Sequence, residues 1–304
     1  MADVKVTIDQ IKEVRARTGS GLMDCKNALI ENGADVDKAC DWLREKGIAK
    51  QAKKAATRTA AEGMSNVAVF GNKAVILEIN CETDFVATNA LFKDLVKKVT
   101  GMVLAAEPKT IEDAMAIKDS DGNSVKDLFL EIGMKIGEKL DFRRFDIVEK
   151  TDDEVFGPYL HMGGKIATLV VLKGGDAETA NGIALNVCSL NPAYKSMDEI
   201  PAATIAKETD IELEASRQDE KFAKKPEAIQ KKIVEGRVKK SLGESVLTEE
   251  PYVLDESQTV GSILKSKNAT VVATYRYQTG EGIEVKKTDY AKEVADQIAA
   301  AKKN

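Results

Sequence analysis

The chain carries one imidazole, His161, and this sets the first limit on its chemistry. A metal site with two imidazole ligands from one chain is excluded, and any Ser–His or Cys–His pair must use this residue. Cys25, Cys40, Cys81 and Cys188 are widely separated and form no C-x-x-C. They read as reduced structural thiols of a cytoplasmic protein, neither a disulfide framework nor a zinc site. No G-x-S-x-G, H-E-x-x-H or G-x-x-x-x-G-K-[ST] motif occurs, and Gly19-Ser20-Gly21 lacks a third glycine and follows a helical pattern. The chain shows no phosphate cradle of its own, so neither direct nucleotide binding nor a cofactor or metal is expected. Carboxylates are plentiful, yet no pair stands out as acid and base. An enzyme using His161 with a nearby carboxylate is a minor alternative.

One short stretch suggests chemistry of another kind. Thr83-Asp84-Phe85-Val86 places an acid and an aromatic side by side in a strand-to-helix connection. Base rates favour Phe85 as a core plug and Asp84 as a helix cap. Against that, Asn89 is already placed to cap the helix whose first core-facing residue is Phe92. An Asp-Phe tip on a rigid scaffold would suit a wedge that enters a partner's pocket.

The elements that must hold this tip follow from periodicity. Thr7-x-x-Gln10 is a capping box, Ile8, Ile11 and Val14 follow at helical spacing, and Gly19 is a stop. A second helix from Leu22 to Asn32 offers Met23, Ala28 and Leu29 to a core. A third, capped by Asp35, offers Val36, Ala39, Trp42 and Leu43 and closes at Gly47. Residues 1–47 therefore read as a three-helix bundle, and 48–62, with its basic run Lys50 to Lys54, as a solvated linker.

Two related α+β subdomains follow, each with an antiparallel hairpin packed on a helix. Gly71-Asn72-Lys73 leading into Ala74–Ile79 resembles Gly163-Gly164-Lys165 leading into Ile166–Val171. Phe92, Leu95, Val96, Val99 and Val103 line the first helix; Ala180, Ile183, Ala184, Val187 and Cys188 line the second. Aligning these stripes makes the first strand-to-helix connection about four residues longer, and the excess falls on Thr83 to Val86. Arg143-Arg144, between Phe142 and Phe145, reads as strand with outward charges in preference to a phosphate contact. The fold class is α+β, with core subdomains at 63–150 and at 151–192 plus 242–285. A helical hairpin at 193–241 serves as a strut or as a homodimer surface, and a C-terminal helix closes the chain at 286–304.

The chain has 45 Lys and Arg against 50 Asp and Glu, for a net charge of −5. That mildly acidic balance gives no electrostatic footprint for nucleic acid. Ile166–Leu172 is too short to span a bilayer, and Met1–Ile8 has neither basic nor apolar leader regions, so no membrane span or secretory signal is expected.

Arg15-Ala16-Arg17-Thr18-Gly19-Ser20-Gly21-Leu22-Met23-Asp24-Cys25-Lys26 closely resembles the N-terminal signature of the elongation factor Ts family, and Glu78 to Ala87 is similar to its second signature. Glu235 to Lys240 and Thr259-Val260-Gly261 match further family stretches. The resemblance implies a UBA-like N-terminal bundle and a protruding helical hairpin, in a guanine-nucleotide exchange factor acting on elongation factor Tu. It also implies that Arg15, Leu22, Met23 and Lys26 meet the partner's GTPase domain and that His161 faces the partner's third domain. Asp84 and Phe85 would intrude near the residues that organise Mg²⁺. Leu22 stands where the best-known members carry Met, a swap of similar volume. A passive adapter, with Asp84 and Phe85 merely packed, is the competing reading.

Overall fold

The computed structural model describes residues 5–284; the side chains of residues 48–57 and of Glu220 are outside that description, as is the C-terminal helix expected at 286–304. Helices α1 (Ile8–Thr18), α2 (Leu22–Glu31) and α3 (Val36–Thr57) form the bundle. Thr7 and Gln10 make the reciprocal capping box, and Gly19 ends α1 in the left-handed region. Val14, Cys25, Ala28, Leu29, Ala39 and Leu43 fill the core, with Trp42 half-buried against it and Lys46 over its ring. Two expectations are corrected. Met23 is 65% exposed and is not core. Gly47 does not stop α3, which runs on to Thr57 through most of the span read as a linker. Gly47 instead lies against Met134, whose sulfur a methyl group at 47 would overlap. The glycine is there for close approach, not for termination.

The first core subdomain contains β1 (Glu62–Phe70), β2 (Lys73–Cys81), α4 (Asp84–Thr88), α5 (Ala90–Ala106), α6 (Ile111–Ala116), α7 (Val125–Ile136) and β3 (Asp141–Glu149). Its antiparallel sheet has the order β1-β2-β3. The second contains β4 (Glu154–His161), β5 (Ile166–Lys173) and α8 (Ala177–Leu190), and its antiparallel sheet β4-β5-β8 is completed from far along the chain by β8 (Thr270–Gln278). The stripes read from periodicity on α5 and α8 are buried throughout. Each sheet has its helix on one face and the other sheet on the opposite face. Ala74, Val148, Phe156, Leu169 and Val171 make the layer between the sheets, and Val75, Leu77 and Ile79 turn the other way toward α5. Burial on both faces explains the nearly continuous apolar runs of β2 and β5.

Both sheets are joined by a buried ion cluster. Glu78 on β2 is fully buried, and its carboxylate accepts from Arg143 Nη1 at 2.9 Å, Arg144 Nε at 2.6 Å, Asn80 Nδ2 at 3.0 Å and the Gly280 N–H at 2.7 Å. The two arginines do not face outward as alternation suggests. The pairing of β2 with β3 shifts register at Glu78/Ile79, leaving Arg143 as an extra residue, and this bulge turns both guanidinium groups to one carboxylate.

Helices α9 (Ala202–Arg217), α10 (Glu220–Ala223) and α11 (Glu227–Gly243) form the hairpin, followed by β6 (Pro251–Tyr252), β7 (Asp255–Thr259), α12 (Val260–Ser266) and β8 (Thr270–Gln278). The hairpin has its own small core of Ile200, Phe222, Val234, Val238, Leu242 and Val246. At its root Glu250 is 4% exposed, and its Oε1 has no hydrogen-bond partner among the described residues. Burial pushes its carboxyl up to about 7, opposed by the Asn186 amide. Folding therefore retains a proton that the unfolded chain loses near pH 4.5, so this residue lowers stability progressively as pH rises from 4.5 to about 7. Glu250→Gln is expected to raise the unfolding temperature by roughly 2–6 °C near pH 8 and to leave it unchanged near pH 4, as followed by calorimetry.

Candidate partner interface

β2 ends at Cys81, whose Sγ donates to the Thr83 carbonyl at 3.2 Å. Burial pushes that thiol up to about 12, which removes it as a nucleophile. Thr83 caps α4: its hydroxyl accepts from the Val86 N–H at 3.4 Å. Asn89 caps α5 in turn, accepting from the Leu91 N–H at 2.9 Å. The stretch read from sequence as one wedge divides into two parts. Val86 and Ala87 are buried against the first subdomain's core, whereas Asp84 is exposed and Phe85 is 82% exposed. Phe85 is not a core plug, and Asp84 is not the cap.

The sister copy passes directly from β5 to α8 through residues 174–176. There Asp176 itself is the cap, accepting from the Thr179 N–H and hydroxyl at 2.7 Å each. These bonds, with Lys267, hold its carboxyl down to about 2. The corresponding connection in the first copy runs from 82 to 89 and includes all of α4. The repeat suggested about four extra residues at 83–86; the connection is eight residues against three, and most of the surplus is α4 at Asp84–Thr88.

The base of the tip is tied to residues that sequence reading passed over. Glu138 Oε2 accepts from the Glu82 N–H at 3.0 Å and the Thr83 N–H at 3.1 Å, and its Oε1 accepts from the Thr83 hydroxyl at 2.6 Å. Glu82 accepts in return from the Lys139 N–H at 2.6 Å and pairs with Arg58 at 2.8 Å. No local pattern marks Glu138; its partners lie more than fifty residues earlier in the chain.

The other candidates lie elsewhere on the surface. On the bundle, Arg15 is exposed in the last turn of α1, Leu22 (54%) and Met23 (65%) stand exposed at the start of α2, and Lys26 is exposed one turn on. A helix start displaying two large apolar groups beside a cation fits an interface better than a solvated face. His161 ends β4, half-buried, with its Nδ1 3.2 Å from the Tyr159 hydroxyl and exposed Leu160 and Met162 on either side. No carboxylate reaches this imidazole among the described residues, so the acid–base pair required by the enzyme alternative is not formed there. Nor do the described residues hold a group of three or more His, Cys, Asp or Glu placed to bind a metal, or a helix long and apolar enough to cross a membrane.

Phe85, Leu160 and Met162, exposed at the rims of the stacked, helix-backed sheets, mark candidate docking surfaces. Comparison with known proteins narrows the class. The family model described as "Elongation factor TS" matches residues 82–281. The chain is 47% identical over 294 residues to elongation factor Ts of Lacticaseibacillus casei (strain BL23), covering 97% of this chain and 99% of that protein. It is 45% identical over 298 residues to elongation factor Ts of Limosilactobacillus reuteri (strain DSM 20016), covering 98% and 100%. The chain belongs to the elongation factor Ts family.

Proposed function

We propose that this chain is a guanine-nucleotide exchange factor that binds elongation factor Tu·GDP in the cytoplasm and speeds GDP release during translation elongation. The observation that carries the reading is Phe85, an aromatic side chain 82% exposed between a capped turn and two buried anchors. A GTPase holds GDP through P-loop amides, a lysine and Mg²⁺. A protein with no phosphate site of its own lowers GDP affinity by binding the nucleotide-free partner more tightly than the GDP-bound one, and the coupling is reciprocal. It breaks no bond and is not an enzyme. A thousandfold acceleration requires about 4 kcal/mol of differential interaction.

In this reading Asp84 and Phe85 enter the GTPase domain and disturb its Mg²⁺ and phosphate contacts, while Thr83 and Val86 hold them. Arg15, Leu22, Met23 and Lys26 dock the bundle on the same domain, and His161 with Leu160 and Met162 meets a second surface of the partner. Contacts on separate subdomains supply what one aromatic cannot. Ile205, Ile211 and Ile229 are exposed on the hairpin, which supports self-association through 193–241; sedimentation of the free chain measures it.

The test is the dissociation of fluorescent GDP from purified elongation factor Tu. Addition of this chain is expected to accelerate it in a saturable manner, and the partner co-purified with it should emerge free of nucleotide. An unchanged dissociation rate would sink the proposal and favour the passive adapter.

A further inference from the structure

We propose that Glu138 is a positioning residue for the exchange reaction, one that holds the Asp84–Phe85 tip in its working shape before the partner arrives; the inference rests on the exchange reading above. α4 has five residues, too few to sustain a helix by its own hydrogen bonds, so its shape must be imposed from outside. Two buried side chains, Val86 and Ala87, fix its inner face. Its entry is fixed by one carboxylate. Glu138 takes three hydrogen bonds from two consecutive residues: the N–H groups of Glu82 and Thr83 at 3.0 and 3.1 Å, and the Thr83 hydroxyl at 2.6 Å.

The third bond matters most for the tip. Because the Thr83 hydroxyl gives its proton to Glu138, it turns a lone pair toward the Val86 N–H, 3.4 Å away, and so becomes the cap of α4. Glu138 thus acts on Phe85 through Thr83, without touching it. The clamp is reciprocal, since Glu82 takes the Lys139 N–H at 2.6 Å and is itself paired with Arg58. Gly137, in the left-handed region at φ 85°, ends α7 and delivers Glu138 to this place. Among the described residues no distant carboxylate gathers the N–H groups of the sister connection, which has no tip to hold: Asp176 caps α8 from within the connection itself.

A tip that has to be ordered during the encounter loses the benefit of preorganisation. If docking is set by the bundle and the tip acts in the step that expels GDP, loosening the tip lowers the maximal rate while the half-saturating concentration stays put. Glu138→Ala is expected to lower the maximal GDP-release rate from elongation factor Tu by about tenfold with the half-saturating concentration within about twofold. Glu138→Gln keeps one carbonyl able to accept both N–H groups and should fall between the two. Hydrogen exchange of the free chain should show faster exchange at residues 82–87 in Glu138→Ala, with the sheets unaltered.

Several results would overturn the assignment. One is a wild-type maximal rate in Glu138→Ala. Another is unchanged exchange at 82–87, and a third is acceleration spread over the whole first subdomain, the mark of a merely structural residue. The hydrogen-exchange arm needs no partner. If the unsubstituted chain fails to speed GDP release, the exchange reading and this role of Glu138 fall together, while that arm still decides whether the brace exists.

Discussion

Phe85→Ala is expected to lower the rate of stimulated GDP release by about ten- to a hundredfold while moving the unfolding temperature by no more than about 1 °C. Burying a Phe in a partner is worth roughly 1.5–3 kcal/mol, and each 1.4 kcal/mol is about a factor of ten. The ring is 82% exposed in the free chain, so its removal leaves no cavity and forfeits almost no folding energy. Val86, one residue on, is the internal control. It is 7% exposed and packs in the first subdomain's core, so Val86→Ala should lower thermal stability together with activity. A stopped-flow trace with fluorescent GDP and a calorimetric scan on the same samples separate the two behaviours. A substantial loss of stability in Phe85→Ala would mean that the ring is structural after all.

The largest stability effect is expected for Glu78→Gln. Its carboxylate is fully buried and is the shared counter-charge of Arg143 and Arg144, at 2.9 and 2.6 Å. Removing one partner of a buried ion pair leaves the other charge uncompensated, at roughly 3–5 kcal/mol. In a chain of this size that is a fall in unfolding temperature on the order of 10 °C. Burial alone would raise the carboxyl, but the bonds from Gly280, Asn80, Arg143 and Arg144 outweigh it and hold it below the ordinary 4.5. The folded state therefore favours the ionised form. The stabilisation is complete above about pH 4.5 and is lost as pH falls through the lower folded value, so the difference between wild type and Glu78→Gln should shrink in acid. The proton at Glu250 acts in the opposite sense. An acid titration in which the two proteins keep a constant difference in stability down to pH 2 would remove Glu78 from this role.

Local signals were the readable ones. The Thr7/Gln10 capping box, the Gly19 stop and the apolar stripes of α5 and α8 each depend on residues within a few turns, and each lies where periodicity puts it. The tip was readable for a different reason: two copies of one motif differ in the length of a single connection, and that surplus became α4. What stayed hidden needs knowledge of distant neighbours. Gly47 carries the residue type of a helix stop, but its role is set by Met134, far along the chain. Arg143 and Arg144 follow strand alternation on paper, and one bulge brings them together. Met23 continues a helical stripe whose core has already been filled by Cys25, Ala28 and Leu29. Helices α6 and α7 left no mark in the sequence reading, and nothing local marks Glu138, just beyond them, as a brace at the base of the tip.

The mismatch between the two halves has a consequence for how such a molecule changes over time. Because α4 sits in a connection that its counterpart closes in three residues, the exposed Asp84–Phe85 tip is an accessory mounted on one of two related hairpin-and-helix halves. Mutations at the exposed Asp84 and Phe85 need not disturb the frame, and the frame can drift in composition wherever it keeps the seat of Val86 and Ala87 and the Glu138 brace. Selection can tune the two at different speeds, and a designer could exchange one for another.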